Sequence, residues 1–286
     1  MLVIRLRRLR NSRSYHLFKY QKELLVWAVP FLRITKKLPP DTIGGKLEKN
    51  EKLSEVTMAE VFQIDSNTWR FEDGFVRFFL LVGEDKAVMI DSGVNCPDAL
   101  MLAKEITDKP VILLNTHGDG DHTSGTAAFS KIYMHSLDYS CCEVDKRYPG
   151  TALEAVNDGD VIELGNRPLE IIHIPGHTKG SIAILDVKKR VLYAGDSVQK
   201  GHIYMFGDKR EPQKYGQSLD KLIAIKERYD CIFASHDEYL VPGDYAKKVK
   251  EAWLMVQNGE VPFEEIDMFG NKVKSYTTEN CGFFMQ

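Results

Sequence analysis

The chain has 286 residues, of which 43% are hydrophobic and 28% are charged, and its formal net charge is −3. This is the composition of an ordinary globular protein, which excludes wholesale disorder, collagen-like repeats and coiled coil. The cysteines are odd in number and show no C-x-x-C spacing, which favours reduced thiols in a cytoplasmic protein. Because no apolar run approaches the ~18 residues that a membrane-spanning helix needs, we expect no stable membrane insertion.

Charge is divided unevenly along the chain. Residues 1–57 hold 13 Lys and Arg against 5 Asp and Glu, whereas the remainder holds 25 against 36. We interpret residues 1–57 as a basic, poorly ordered extension and residues 58–286 as the folded domain. The apolar run at residues 24–32 also allows a signal peptide or an interfacial helix, but it lies late and no A-x-A cleavage site follows. The acidic body argues against a nucleic-acid partner, because phosphate binding requires clustered positive charge.

From residue 60 onward, short apolar runs separated by turn residues predict strands, and longer amphipathic stretches predict helices. The predicted strands are residues 61–64, 75–82, 87–90, 111–115, 131–134, 160–164, 169–174, 181–186, 190–194 and 231–234. The predicted helices are residues 97–106, 136–146, 215–228 and 244–257. The first three strands are expected to be antiparallel and joined by hairpins, and two further hairpins are expected within residues 160–194. A sheet-rich centre with helices outside it predicts a layered α/β domain.

The densest group of chemically active side chains directly follows the apolar strand 111–115. His117, Asp119, Asp121 and His122 stand within six residues, in a segment THGDGDH whose glycines permit tight turns. Imidazole and carboxylate groups both bind divalent metals. Four such side chains at one strand end predict a metal site rather than surface or capping residues.

Three further ligands follow later strands in the same manner. His177 stands in the segment PGHT, Asp196 in AGDS and His236 in ASHD, each just past an apolar strand. Ligands delivered from the ends of several strands are a usual way to build a rigid metal centre.

This order of motifs, H-x-D-x-D-H followed by PGHT, GD and SH, resembles the metallo-β-lactamase superfamily over residues 58–240. The resemblance implies a four-layer αββα sandwich, an α/β fold in which two mixed sheets pack face to face between helices. It also implies two divalent metal ions, zinc in most such proteins. By the resemblance, the first site would contain His117 and His177, the second Asp121, His122 and His236, and Asp196 would bridge the two.

Asp119 departs from the pattern, because the superfamily has a histidine there. A carboxylate at this position resembles the diiron members, which reduce oxygen or nitric oxide. With two divalent ions and a bridging hydroxide, this third carboxylate would make the centre neutral, and such a harder site favours iron or manganese over zinc. Alternatively, Asp119 turns aside and only the second site fills.

A second group of residues is expected to support the ligands or to line the substrate pocket. In the implied architecture, the segment after Asp196 overhangs the metals, and loops on a rigid scaffold usually shape the pocket. The residues of this group are Asp91, Thr116, His202, Tyr204, Phe206 and Arg210.

The function favoured by these residues is metal-dependent hydrolysis of a small ester, thioester, lactone, amide or phosphodiester by a metal-bridged hydroxide. Asp121 or Asp119 would orient the water or accept its proton. We expect a small-molecule substrate and leave open a homodimer as the assembly. Two alternatives remain: a diiron-type oxidoreductase with a separate electron donor, and a non-catalytic member that keeps metal as a structural staple.

Overall fold

The structure is a computed structural model that describes residues 59–142 and 151–286. The predicted extension, residues 1–57, and the proposed first residue of the domain, Met58, lie outside the described residues. The strands are β1 (Glu60–Asp65), β2 (Thr68–Asp73), β3 (Val76–Val82), β4 (Ala87–Ile90), β5 (Val111–Leu114), β6 (Lys131–Met134), β7 (Ala152–Ala155), β8 (Val161–Glu163), β9 (Pro168–His173), β10 (Ile182–Asp186), β11 (Val191–Tyr193), β12 (His202–Tyr204), β13 (Cys231–Phe233), β14 (Leu240–Pro242), β15 (Phe263–Met268), β16 (Asn271–Thr277) and β17 (Gly282–Met285). The α-helices are α1 (Ala99–Ile106), α2 (Tyr139–Cys142), α3 (Pro212–Ala224) and α4 (Tyr245–Gln257).

The first sheet contains β1 to β7 in sequence order. Its first four strands are antiparallel neighbours, and β4 to β7 are parallel. The hairpin predicted between residues 61–64 and 75–82 is wrong, because β2 lies between the two strands. The segment TWRFED of β2 was not predicted as a strand, because three of its six residues are charged. These charges hide the alternation of apolar and polar residues that indicates a strand.

The second sheet has the order β14-β13-β11-β10-β9-β8. The two predicted hairpins are confirmed, since β8 pairs antiparallel with β9 and β10 pairs antiparallel with β11. β11 pairs parallel with β13, so this sheet is also mixed. Because β10 is antiparallel to both of its neighbours, β9, β11 and β13 all run in one direction and end at the same edge.

Alternating side chains on the central strands build the layers. In β3, Phe78 packs with α1 outside the first sheet, and the next residue, Phe79, packs between the two sheets. In β10, Ile184 packs between the sheets, and Leu185 packs against Trp253 of α4. Since successive side chains of a strand point to opposite faces, each sheet has one face on its partner sheet and one on helices. This confirms the predicted α/β sandwich with four layers.

A third sheet, in the order β12-β17-β16-β15, was not predicted. The segment 202–204, expected as part of a loop, is the strand β12, which pairs parallel with β17 from the end of the chain. A three-residue strand whose partner lies about 80 residues away carries no local signal. Phe283 of β17 packs into the core beside α3 and α4, which fixes this sheet on the domain.

The predicted helices were correct in place but not in length. The helix expected at 136–146 is a short 3₁₀ turn at residues 136–138 followed by α2, and residues 143–150 lie outside the described part. The helix expected at 215–228 is divided into two elements. These are α3, which begins earlier, at Pro212, and a separate 3₁₀ turn at residues 226–228. Within residues 59–142 and 151–286, no helix has the length and apolar character needed to cross a bilayer.

Candidate metal centre

The seven predicted ligands all lie at one edge of the sandwich. The loop 115–122 follows β5 of the first sheet, whereas His177, Asp196 and His236 follow β9, β11 and β13 of the second. The two sheets are joined at this edge, since the N–H of Arg77 donates to the carbonyl of Ser235 at 2.9 Å. The common direction of these strands therefore brings residues from distant parts of the chain together.

One group of four side chains could hold a metal ion. Ligand atoms of Asp121, His122, Asp196 and His236 all lie within 4.8 Å of one another. His122 Nε2 is 3.2 Å from Asp196 Oδ1, and His236 Nε2 is 3.1 Å from Asp196 Oδ2. Asp121 Oδ2 lies 3.6 Å from His122 Nε2 and 3.4 Å from His236 Nε2. Two imidazoles and two carboxylates in this space match the second site that the resemblance implies.

A second group shares Asp196 with the first. His117, His177 and Asp196 also offer ligand atoms within 4.8 Å of one another. The Nε2 atoms of His117 and His177 are 3.2 Å apart and lie 3.9 Å and 3.6 Å from Asp196 Oδ2. Asp196 is therefore shared by the two groups.

Each of the four imidazoles has a hydrogen-bond partner at Nδ1, the ring nitrogen on the side away from the centre. The partners are Thr116 Oγ1 for His117 (3.0 Å), Asp91 Oδ2 for His122 (3.0 Å), the Tyr204 carbonyl for His177 (2.9 Å) and the Phe75 carbonyl for His236 (2.9 Å). A carbonyl oxygen only accepts a hydrogen bond, so the Nδ1 atoms of His177 and His236 carry the hydrogen. Their Nε2 atoms then face the centre, which is the orientation that metal-binding histidines need.

Asp91 and Thr116 are hydrogen-bonded to each other beneath the loop that carries His117 and His122. The backbone of Asp91 has φ +62°, a left-handed conformation that aspartate tolerates better than most residues. Its carboxylate accepts from the Thr116 N–H at 2.8 Å, from the Thr116 hydroxyl at 2.7 Å, and contacts His122 Nδ1. Gly195 lies directly against Thr116, where a Cβ would be 2.8 Å from Oγ1, so this close approach requires glycine.

The fully buried carboxylate of Asp138 was missed by the sequence analysis. It accepts hydrogen bonds from the Gly118 N–H at 3.0 Å, the Gly180 N–H at 2.7 Å and the Thr178 hydroxyl at 2.7 Å. Gly118 adjoins His117, and Thr178 adjoins His177, so one side chain ties together the two loops of the first group. No local pattern marks this role, because the residues that it joins lie 20 to 42 residues away.

Buried Arg77 of β3 was also missed. Its guanidinium donates to the carbonyl of Ala234 at 3.2 Å and to the carbonyl of Asp237 at 2.6 Å, on either side of His236. A lone arginine inside the apolar run FVRFFLLV is a signal that could have identified it, because a buried charge needs partners.

Asp119 is bound to Arg210. Its Oδ2 atom lies 2.7 Å from Arg210 Nη1, 3.2 Å from His177 Nε2 and 3.7 Å from His117 Nε2. Burial opposes ionisation, but the hydrogen bond from His177 and the charges of His117 and Arg210 hold the pKa of Asp119 well below its usual range. Asp119 is therefore a carboxylate with a permanent cation on the oxygen that faces the first group.

Burial and the surrounding charges shift the pKa values of the cluster in opposite directions. Burial, followed by the charge of His122, lowers the pKa of His117 to about 4. Burial would also lower the pKa of His236, but Asp196 and Asp121 outweigh it and raise this pKa to about 10. Burial opposes the ionisation of Asp196, yet His236 and His122 keep its pKa well below the usual value. The carboxylates thus remain charged at neutral pH and favour cations among them.

The donor atoms of the centre fit divalent metal ions. His122 Nε2 and Asp196 Oδ1 are both buried, and neither has a hydrogen-bond partner among the described residues. Leaving two buried polar atoms unsatisfied costs free energy, and a metal between them would remove that cost. The group of Asp121, His122, Asp196 and His236 supplies two nitrogen and two oxygen ligands, and the group of His117, His177 and Asp196 supplies two nitrogens and one oxygen.

The centre opens into a cavity of about 560 Å³. Three predicted pocket residues, His202, Tyr204 and Arg210, line it. Phe206 is not among the lining residues, and its ring instead lies 5.9 Å from that of Tyr204. Additional lining residues that the sequence analysis did not single out are Phe75, Gly120, Gln199, Asp237, Phe269 and Phe284.

Comparisons with known proteins find a matching family model and related proteins. A family model described as "Metallo-beta-lactamase superfamily" matches residues 72–141 and 142–236. The acyl-coenzyme A thioesterase MBLAC2 of Gallus gallus is 24% identical over 186 residues, covering 52% of this chain and 67% of that protein. A hydroxyacylglutathione hydrolase from Synechococcus sp. (strain JA-2-3B'a(2-13)) is 30% identical over 142 residues, covering 49% of this chain and 55% of that protein.

A solved structure shows the same fold. The metallo-beta-lactamase from Pontibacter korlensis superimposes with a TM-score of 0.59 and 17% identity, covering 69% of this chain and 99% of that one. At this identity the likeness concerns the fold alone.

Proposed function

Because the chain belongs to the metallo-β-lactamase superfamily and is a hydrolase, we propose that it cleaves an acyl thioester, using a two-metal centre built from six of the seven predicted ligands, with Asp119 beside it. The observation that carries the proposal is the position of Asp196, shared by two ligand groups at the edge of the cavity. The thioester is chosen because one relative is named an acyl-coenzyme A thioesterase. The overall reaction adds water to the acyl carbon and breaks the C–S bond, giving a carboxylic acid and a thiol.

In this proposal the ligands are divided as in the resemblance described above. His117 and His177 would hold the first ion, Asp121, His122 and His236 the second, and Asp196 both. When bound, the two ions would supply Lewis acidity and lower the pKa of a coordinated water towards ~7. The hydrogen bonds on Nδ1 would keep each imidazole in place during turnover.

Of the two carboxylates considered as proton carriers, Asp121 has the better position. It lines the cavity, and its side chain is 24% exposed. Asp119 also lines the cavity, but its Oδ2 is bound to Arg210. A group paired with a permanent cation is a poor proton acceptor because the cation stabilises its charged form. Since Asp121 would itself face the second ion, we assign to it the orientation of the water, by its exposure to the cavity, and charge balance to Asp119.

The Asp119–Arg210 pair also bears on which metal is bound. The carboxylate would remove one positive charge relative to a histidine, and the arginine restores it. Asp119 as a ligand would still make the first site richer in oxygen, which favours iron or manganese over zinc. The oxidoreductase alternative depended on Asp119 acting as such a ligand, and the occupation of its oxygen by Arg210 favours hydrolysis instead.

The proposal is tested by removing the shared carboxylate. Asp196→Ala should lose at least one of two bound ions and reduce thioester hydrolysis by at least a thousandfold, because both groups lose a ligand. Metal content is measured by elemental analysis on protein purified without chelator, and hydrolysis by thiol release. Asp220→Ala removes an exposed carboxylate on α3 and is the matched control, for which no change is expected.

Two results would contradict the proposal. Unchanged metal stoichiometry in Asp196→Ala would show that the ligand assignment is wrong. A wild-type protein that holds two ions but releases no thiol from any acyl thioester would show that the substrate class is wrong.

A further inference from the structure

The cavity beside the ligands has an aromatic wall made by the unexpected third sheet. Tyr204 of β12 pairs with Phe284 of β17, and their rings meet edge to face with centroids 5.0 Å apart. The Phe284 ring also stacks on His202 at 4.3 Å, with an interplanar angle of 13°. The neighbouring pair, Ile203 and Phe283, points into the core instead. The alternation of the two strands therefore presents one apolar face to the cavity.

Phe269 stands at the mouth of the same cavity, at the tip of the β15–β16 hairpin. Its side chain is 85% exposed, and its backbone has φ +53°. Phe269 and Gly270 form a two-residue turn in which both residues have positive φ, a turn that usually selects Asn-Gly. A bulky residue in this conformation is strained, and such strain is concentrated at ligand-binding positions. The local structure thus does not account for an aromatic ring here, whereas a ligand would.

Phe75 lies in the cavity lining beside the second metal group. Its side chain is 66% exposed, and its ring stacks on that of His236, with centroids 5.8 Å apart and planes at 15°. The turn that carries it is fixed, since the Phe75 carbonyl is bonded to His236 Nδ1. A ligand that touches this ring is therefore within reach of the metal ligands.

We infer that Phe75, Tyr204, Phe269 and Phe284 form a binding surface for the apolar acyl chain of the substrate, so that the protein prefers acyl groups of medium length to acetyl. This inference rests on the proposed function. The two exposed rings are separate in sequence but line one cavity with the metal ligands, which is the arrangement a substrate with a reactive carbonyl and an apolar tail requires. Each methylene that the rings cover should raise kcat/KM about three- to fourfold until the chain leaves the cavity.

The test compares acyl thioesters of one small thiol, from acetyl to octanoyl, on the full metal-loaded chain. For the wild type, kcat/KM should rise along the series. Phe269→Asn suits the turn and removes the ring, and it should lower the octanoyl-to-acetyl ratio of kcat/KM about tenfold. The matched control is Phe263→Thr, which removes a half-exposed ring from the same hairpin outside the cavity and should leave the ratio unchanged.

A binding measurement separates this inference from the proposed function. Octanoate should bind the wild type about tenfold more tightly than Phe269→Asn in calorimetry, whether or not thioesters are cleaved. If thioesters are hydrolysed but the acyl-length profile is flat, or is the same in Phe269→Asn, the inference is wrong and the proposed function stands. If no thioester is cleaved but octanoate shows the expected difference, the apolar site stands and the function fails. Equal octanoate binding in the two proteins would overturn the inference.

Discussion

Replacing Asp138 should weaken both the fold and the metal centre. Its carboxylate is fully buried and accepts hydrogen bonds from two backbone N–H groups and from the Thr178 hydroxyl. In Asp138→Ala the hydroxyl can still bond to Ser181 Oγ, 2.7 Å away, but the N–H groups of Gly118 and Gly180 lose their acceptor. Each unsatisfied buried donor costs about 1–3 kcal/mol and the lost hydroxyl bond about 1 kcal/mol, so the free energy of unfolding should fall by about 3–7 kcal/mol.

The metal affinity should fall with it, because Gly118 and Thr178 adjoin the ligands His117 and His177. Loss of an outer partner typically costs metal sites about 10–100-fold in affinity, and we expect a loss of this size for the first site. Asp138→Asn, which keeps one acceptor oxygen and the side-chain volume, should show a smaller loss of both quantities. Stability is measured by denaturant unfolding of the metal-free protein, and affinity by competition with a chromophoric chelator.

The matched control is Asp186→Ala. Asp186 is also fully buried, and it pairs with Arg167 at 2.7 Å at the far end of β10 from the metal centre. Removing one partner of a buried ion pair costs about 3–5 kcal/mol, so this variant should be as unstable as Asp138→Ala but should keep its metal affinity. Equal loss of affinity in the two variants would show that Asp138 acts only through global stability. A change of under about 1 kcal/mol in Asp138→Ala would refute the assigned hydrogen bonds.

Three further results are expected. Asp119→His should shift the bound metal towards zinc and retain or raise thioester hydrolysis, whereas Asp119→Asn should reduce occupancy of the first site. If both variants keep the wild-type metal content but lose turnover equally, Asp119 is instead the general base. A chain beginning at Met58 should keep its metal content and its melting temperature, because the ligands all come later; an insoluble or metal-free product would show that residues 1–57 pack on the domain. Removal of metal by a chelator should lower the melting temperature, since a ligand at 100 times its Kd stabilises the folded state by about 2.7 kcal/mol, and an unchanged melting temperature would contradict a tightly held centre.

The strands that could be predicted from the sequence are those made mainly of consecutive apolar residues. β4 and β6 were predicted with their observed bounds, because short apolar runs between turn residues are strands buried in a sheet. β2 could not be predicted, since its charged residues Arg70 and Glu72 are paired with each other and so are tolerated in a strand. β12 could not be predicted either, because its partner, β17, follows only after two helices and four further strands.

The candidate metal ligands stand out in the sequence for a different reason. They are polar residues that directly follow apolar strands, and their order resembles a family motif. Asp138 and Arg77 also hold loops that carry these candidate ligands, Asp138 beside His117 and His177 and Arg77 beside His236. Both do so by hydrogen bonds to backbone atoms, which any sequence offers. A side chain that recognises backbone leaves no signature in the residue it contacts. The lone charge of Arg77 in an apolar run could have marked it as a residue that needs partners, but the partners of both side chains are visible only in the structure.

The pair of Asp119 and Arg210 shows why one position of a motif cannot be interpreted alone. Arg210 was expected to line the pocket and does so, but its guanidinium also lies 2.7 Å from the carboxylate that departs from the superfamily pattern. The substitution at 119 removes a positive charge from the balance of the centre, and the arginine supplies it from 91 residues further along the chain. Metal choice then depends on the ligand atom and much less on net charge. Asp119→His would therefore leave Arg210 without its partner beside His177, and the total charge of the centre would rise above that of the natural protein.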